Sequence, residues 1–312
     1  MLAPPDVSTF ERWRFALKPA SWPKLLVPFA LGQAIGLDAT GHFSWVGFLL
    51  ALAFTAADAV FVVMLNDFGD REVDAIKRRM FPQTSKKTIV DGVLPALTLL
   101  IAGGLAGLAA LGVGAVAFFA DRPLAPIAIL FALAIFVAYT LPPIRLNYRG
   151  GGELLEMLGV GIVLPWISAY LQSGRAWMPA LDAIAGLVLV SLSSAIASGL
   201  SDERSDREGG KRTVVTMLGN TLARKLMLGL LALAPLAWIL AAMIPSGTPT
   251  MLLVIAAALQ AFAWPNLARA SELAVTDAFD AQTRFKTLLQ RSIQESVGTL
   301  TLMMFLAPLI GF

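Results

Sequence analysis

The chain has 312 residues, 57% of them hydrophobic and 14% charged, with a net charge of +3. Charged residues make up about a quarter of a soluble domain, so most of this surface must face lipid rather than water. Cysteine is absent and His42 is the single histidine, which excludes disulfides, zinc–thiolate and iron–sulfur chemistry, cysteine nucleophiles and histidine-rich metal sites, and leaves carboxylates, suited to hard ions such as Mg²⁺, for any metal.

Residues 1–20 carry Asp6, Glu11, Arg12, Arg14 and Lys18 in an amphipathic stretch that lacks the apolar core of a cleaved signal peptide. Trp13 and Trp22 flank it as interfacial anchors. Apolar runs then recur at about 22–37, 45–65, 93–120, 124–141, 152–171, 179–200, 222–244, 250–268 and 292–311. They are continuous rather than alternating, which predicts transmembrane helices and not a β-barrel. The first run is short and broken by Pro23 and Pro28. All but two of the 24 basic residues, Arg122 and Arg175, fall in the N-terminal segment or in the connections 66–92, 142–151, 201–225 and 269–291. The positive-inside rule then places those segments in the cytoplasm and the chain in the cell's inner (plasma) membrane. The expected fold is all-α: a single domain over 1–312, an integral membrane bundle of nine transmembrane helices around a central cavity.

Two long polar connections follow the second and sixth runs, and each opens on carboxylates. In the first, Asn66, Asp70 and Asp74 are spaced i, i+4, i+8, with Asp67 beside them. A helix continuing from the second run stacks them on one face, where like charges repel unless a cation fills the column. In the second, Asp202 and Asp206 repeat the i, i+4 pair. Two such columns facing each other, each with one Mg²⁺, form a clamp for a polyanion such as diphosphate. Lys77, Arg78, Arg79, Lys86 and Lys87 follow the first cluster, and Arg207, Lys211 and Arg212 follow the second. These supply the positive charge that a diphosphate leaving group needs. Charged residues can also merely wet the ends of loops, but two loops of matched spacing on one side of the membrane weigh against that reading.

Residues 66–74 read N-D-x-x-D-x-x-x-D, and Asp202 with Asp206 reads D-x-x-x-D after the sixth run. Both resemble the paired signatures of the UbiA superfamily of intramembrane prenyltransferases, and the nine-helix layout extends the resemblance over essentially the whole chain. Residues 139–153 are similar to the Y-[ST]-x-P-P-x-[RK]-L-x-Y-R-G-x-G-E segment of the quinone-pathway branch, which includes the dihydroxynaphthoate polyprenyltransferases of menaquinone synthesis. The GKRT at 210–213 looks like the same group, while residues 84–92 depart from the Arg-Pro pair frequent in the family's first inner loop. The resemblance implies transfer of a prenyl group from an isoprenyl diphosphate to an aromatic acceptor within membrane lipid, with Mg²⁺ as cofactor and no nucleic acid. It implies Asn66, Asp67, Asp70, Asp74, Asp202 and Asp206 as metal ligands, with Asp67, Asp70 and Asp202 also in the catalytic step. Expected on the substrates are Asn66, Lys77, Lys86, Lys87, Glu153, Lys211 and Arg212. Arg145 or Arg149 suits the carboxylate of an acidic acceptor, since a guanidinium binds it bidentately; anchoring to lipid headgroups is the plainer reading of both.

Other residues carry weaker signals. Asp58 lies within the second run, eight residues before Asn66, either as a functional intramembrane carboxylate or as a hydrogen-bond partner for a neighbouring helix. Glu153 is expected in the pocket and Glu156 in solvent. Tyr139, read as catalytic, and Tyr148, Phe68 and Trp166 have ring faces that can stabilise an allylic cation, although Trp166 reads first as an interfacial anchor. Three other functions share some of these features: a membrane terpene cyclase with the same metal site and no acceptor, a phosphoribosyl-transferring relative, and a carboxylate-gated cation transporter. The transporter would place its charges near the bilayer midplane rather than at helix ends.

Overall fold

The computed structural model describes residues 8–84, 86–245 and 247–307, so Asp6, Ser85 and the end of the ninth apolar run fall outside the described residues. Among the described residues the chain is helical throughout, with no strand. The N-terminal stretch forms α1 (Thr9–Leu17), started by a capping box in which Ser8 and Glu11 bond each other's backbone N–H groups. Then come α2 (Pro23–Thr40), α3 (Trp45–Met80), α4 (Ala96–Phe119) and α5 (Ala125–Thr140). Helix α6 (Gly152–Leu158) passes through a π-turn (Gly159–Val163) into α7 (Leu164–Ser173). Pro165 has no N–H to donate to Gly161, and the Leu164 N–H reaches back to Gly159 instead, which widens the turn. The second half holds α8 (Ile184–Ser198), the short α9 (Glu203–Glu208) and α10 (Val214–Leu218), then α11 (Asn220–Ala242), α12 (Thr250–Leu273) and α13 (Phe279–Leu306).

Among the described residues six helices are long and apolar enough to cross a membrane: Trp45–Met80, Ala96–Phe119, Gly152–Ser173, Pro179–Ser201, Asn220–Ala242 and Thr250–Leu273. The remaining predicted runs are helical too, but each falls short for a physical reason. Helix α5 has only 16 residues. Helix α2 carries Lys24, Gln33 and Asp38, and α13 carries Asp280, Arg284, Lys286, Arg291 and Glu295.

Two large apolar cores hold the bundle, with a smaller cluster around Met64 and Leu99 where α1 meets α3 and α4. One joins α2 to α7, around Phe54, Ile129 and Ile167; the other joins α8, α11, α12 and α13, around Trp238, Leu253 and Phe285, with Leu31 and Ile35 of α2 packed into it. Helix α2 therefore serves both halves, packing on α7 and α13. Large apolar side chains such as Leu105, Leu108 and Phe262 point outward, as a lipid-facing surface requires. Helix α3 has 36 residues, about 54 Å at 1.5 Å per residue, against a hydrocarbon thickness of about 30 Å. Its C-terminal turns, from Asn66 onward, therefore project past the apolar layer.

Candidate active site

The projecting end of α3 presents the first acidic column. Asn66 Nδ2 donates to Asp70 Oδ2 at 3.4 Å, one turn apart on a single helix face, while Asp67 turns inward and is 4% exposed. Gly69 lets this part of α3 press against the end of α5, because a Cβ there would lie 2.4 Å from Thr140 Oγ1. In the second cluster Asp202 is the N-cap residue of α9 and Asp206 lies in its first turn. Helix α9 packs on α3, and Gly209 at its end permits the contact: a Cβ there would stand 2.7 Å from Val73 Cγ2. The two acidic clusters thus meet at one end of the bundle.

Carboxylates gathered this closely need positive charge, and lysines from separate segments supply it. Lys18, just past α1, ion-pairs with Asp67, whose other oxygen accepts from Thr88 Oγ1 at 2.5 Å. Lys211 Nζ is 3.0 Å from Asp70 Oδ2, and Lys87 Nζ is 2.5 Å from Asp74 Oδ1. Lys77 ion-pairs with Asp202. The Tyr148 hydroxyl donates to Asp70 Oδ1 at 3.2 Å, and Lys286 of α13 donates to Ser201 Oγ at 2.9 Å.

Electrostatics couples the clusters to each other. Burial weakens the Lys211 ammonium, but Asp70 and Asp206 outweigh it and raise its pKa above the ordinary value. Lys87 behaves alike, with burial opposed and exceeded by Asp202 and Asp74. Burial likewise pushes up Asp202, yet Lys77 and Lys87 bring its carboxyl below the usual range. Asp206 is pushed up to about 7 by burial, opposed by Lys211 and reinforced by Asp202 and Asp70. Each bridging lysine answers to carboxylates of both clusters.

Among the described residues no three carboxylates converge into one metal-binding group. The donor set of Asn66, Asp67, Asp70, Asp74, Asp202 and Asp206 still fits Mg²⁺. It consists of oxygen ligands on two facing elements, and Mg²⁺ is usually held by one or two carboxylates, with substrate phosphates and water completing the shell.

From this polar end a cavity of about 320 Å³ runs into the bundle, within the range of small-molecule sites. Lys18, Ser21, Lys24, Asn66 and Glu156 line its polar end, and Phe54, Val62, Ile135, Phe136, Val163 and Leu164 its apolar walls. The first half of the chain supplies almost all of it, with Ser198 the contribution of α8, so the cavity is less central than the sequence predicts. Tyr139 lines it, stacked on Phe136 with centroids 5.5 Å apart. Asp58 lines it too and, among the described residues, has no hydrogen-bond or ion-pair partner.

The other expected residues take varied places. Glu153 is buried, and its Oε1 accepts the Val214 N–H at 2.7 Å, which fixes the loop that carries Lys211. Arg145 Nη2 donates to the Gly69 carbonyl at 2.6 Å while its guanidinium lies 3.5 Å from the centre of the Tyr148 ring, so it braces α3 rather than facing the cavity. Lys86, Arg149 and Arg212 are exposed. Phe68 sits under the Arg71 guanidinium at 4.5 Å, and Trp166 stacks on Tyr170 and donates to the Ala176 carbonyl. Glu156 is not simply solvated as expected: it lines the cavity and ion-pairs with Lys24. Sequence reasoning also missed Lys18, Thr88 and Lys286, whose only signal was a polar residue close to an apolar run.

The family model described as the UbiA prenyltransferase family matches residues 25–287. The chain is 30% identical to a 1,4-dihydroxy-2-naphthoate octaprenyltransferase of Mycobacterium tuberculosis, over 73% of this chain and 77% of that one. It is 25% identical to a 2-carboxy-1,4-naphthoquinone phytyltransferase of Synechocystis, over 70% of each. Its fold is similar to that of a UbiA homolog from Archaeoglobus fulgidus solved with DMAPP and Mg²⁺, with a TM-score of 0.66 at 18% identity, covering 94% of this chain and 99% of that one.

Proposed function

This chain belongs to the UbiA prenyltransferase family, and from that premise we propose that it transfers a prenyl group from an isoprenyl diphosphate to an aromatic acceptor of the quinone-precursor type. The observation that carries the reading is the meeting of two acidic helix ends, bridged by Lys87 and Lys211, at the polar end of an apolar cavity. The naphthoate and naphthoquinone substrates in the relatives' names support an aromatic acceptor.

In this reading the chain is one domain that crosses the inner (plasma) membrane nine times. The crossings are α2, α3, α4, α5, the α6–α7 helix, α8, α11, α12 and α13, with the acidic ends on the cytoplasmic side. The concentration of Lys and Arg on that side supports it.

The diphosphate lies between α3 and α9, and the isoprenyl tail lies along the cavity beside Phe136 and Val163. Asn66, Asp67, Asp70, Asp74, Asp202 and Asp206 would hold Mg²⁺, which would supply charge to offset the diphosphate. Lys77, Lys87 and Lys211 donate to the diphosphate oxygens as negative charge grows on them. The ring faces of Tyr139 and Phe136 shelter the allylic cation from water. An electron-rich ring carbon then bonds to C1, and the ring proton leaves to a carboxylate.

Purified protein with Mg²⁺ is offered prenyl diphosphates of graded length, with and without a panel of aromatic acids, and the products are read by mass spectrometry. A prenylated aromatic is expected. A cyclic hydrocarbon made from the diphosphate alone, with no adduct from any acid, would replace the transferase reading with a cyclase.

A further inference from the structure

We propose that the Lys24–Glu156 ion pair is the acceptor subsite, where an acidic group on the incoming aromatic displaces the Glu156 carboxylate from the Lys24 ammonium. The inference deepens the aromatic-acceptor reading above and rests on it.

Lys24 stands in the first turn of α2 and Glu156 in α6, and the pair joins the two helices at the polar end of the cavity. Their side chains are 26% and 21% exposed, so the pair is shielded from bulk water yet open to a molecule entering the cavity. Four other lysines at this end are engaged with the acidic motifs, Lys18 with Asp67, Lys77 with Asp202, Lys87 with Asp74 and Lys211 with Asp70, and Lys286 donates to Ser201 Oγ. Lys24 is paired instead with a carboxylate outside those motifs. Arg145 is held by the Gly69 carbonyl and the Tyr148 ring.

Placing an acceptor carboxylate in so apolar a cavity would ordinarily cost its hydration without return. Exchange at Lys24 offsets this, because the ammonium is already in place and the displaced Glu156 carboxylate, 21% exposed, turns to water at the polar end of the cavity. Glu156 thereby keeps Lys24 compensated while no acceptor is bound. It also makes the subsite selective, since a neutral aromatic has nothing to offer in exchange for the pair it would disrupt.

The test is calorimetric titration of the full chain in detergent with 1-hydroxy-2-naphthoate as probe and its neutral amide as control. Lys24→Met should weaken binding of the acid by about tenfold or more, the scale of one lost charge-assisted hydrogen bond. Lys24→Arg should retain most of it. Glu156→Gln should tighten binding several-fold, because the internal competitor is gone. The amide should show none of these differences. Equal acid binding in wild type and Lys24→Met, weakening by both substitutions, or no binding to wild type overturns the proposal. If Lys24→Met does not fold, the tightening expected of Glu156→Gln for the acid, and its absence for the amide, decide alone. Binding needs no turnover, so a failed subsite is distinguished from a failed transferase assignment, which would show as absent prenyl adducts with every acceptor.

Discussion

Lys211 Nζ lies 3.0 Å from Asp70 Oδ2, so the loop after the second acidic motif places its ammonium on a carboxylate of the first. The two residues are 141 positions apart and both side chains are largely buried, at 9% and 13% exposed. Cutting a buried ion pair on one side costs about 3–5 kcal/mol, because the remaining charge is left uncompensated. Lys211→Met is therefore expected to lower the unfolding free energy of the metal-free protein by about 3 kcal/mol. Added Mg²⁺ should recover part of the loss by supplying the missing charge. Thermal unfolding with and without Mg²⁺ measures this; equal losses in the two conditions would make Lys211 a purely structural partner.

Gly69 gives a second prediction. Gly69→Ala drives a methyl into Thr140 Oγ1, displaces the turn that holds Asp67 and Asp70, and should reduce activity by about tenfold or more. Thr140 Oγ1 is buried without a hydrogen-bond partner, so removing it is cheap. The double variant Gly69→Ala/Thr140→Ala should regain much of the lost activity. Additive losses in a double-mutant cycle would contradict this account of the contact.

The sequence shows the acidic column because Asn66, Asp70 and Asp74 share one helix face whatever packs against them. It shows the helices because long apolar runs have few other ways to satisfy their backbone in lipid. The counter-ions are another matter. Nothing local links Lys18 to Asp67, 49 residues on, or Lys77 to Asp202, 125 residues on; those pairs follow from tertiary packing. Arg145 looked suited to an acceptor carboxylate, but its backbone sits at φ +44° and its side chain turns to the Gly69 carbonyl. Glu156, early in a helix, reads as solvated, and the ion pair with Lys24, 132 positions away, is what holds it at the cavity wall.

Asp58 has no partner among the described residues and faces an otherwise apolar cavity wall. An aspartate at the centre of a membrane helix costs about 2.5–3.5 kcal/mol on insertion scales. Asp58→Leu should therefore stabilise the protein, by about 1–3 kcal/mol because the cavity leaves the carboxyl partly accessible. By extending the apolar wall it should also shift preference toward longer prenyl diphosphates. Competition between short and long donors, read by product mass, tests the second effect; an unchanged ratio with unchanged stability contradicts both.

Topology is testable at exposed positions. Single cysteines in place of Glu72 and Arg212 should react only with reagents that reach the cytoplasm, and one in place of Trp177, 78% exposed, only with reagents outside. Labelling of the Glu72 or Arg212 site from outside intact cells would contradict the nine-crossing arrangement.

The most direct measurement of the two-cluster site is Mg²⁺-dependent binding of a prenyl thiolodiphosphate, which resists ionisation, to wild type, Asp70→Ala and Asp202→Ala. Binding to wild type that is abolished by chelator, and weakened by at least about a hundredfold in each variant, is the predicted result. Wild-type affinity in Asp202→Ala, or binding that persists with chelator present, would contradict a site built from both acidic helix ends.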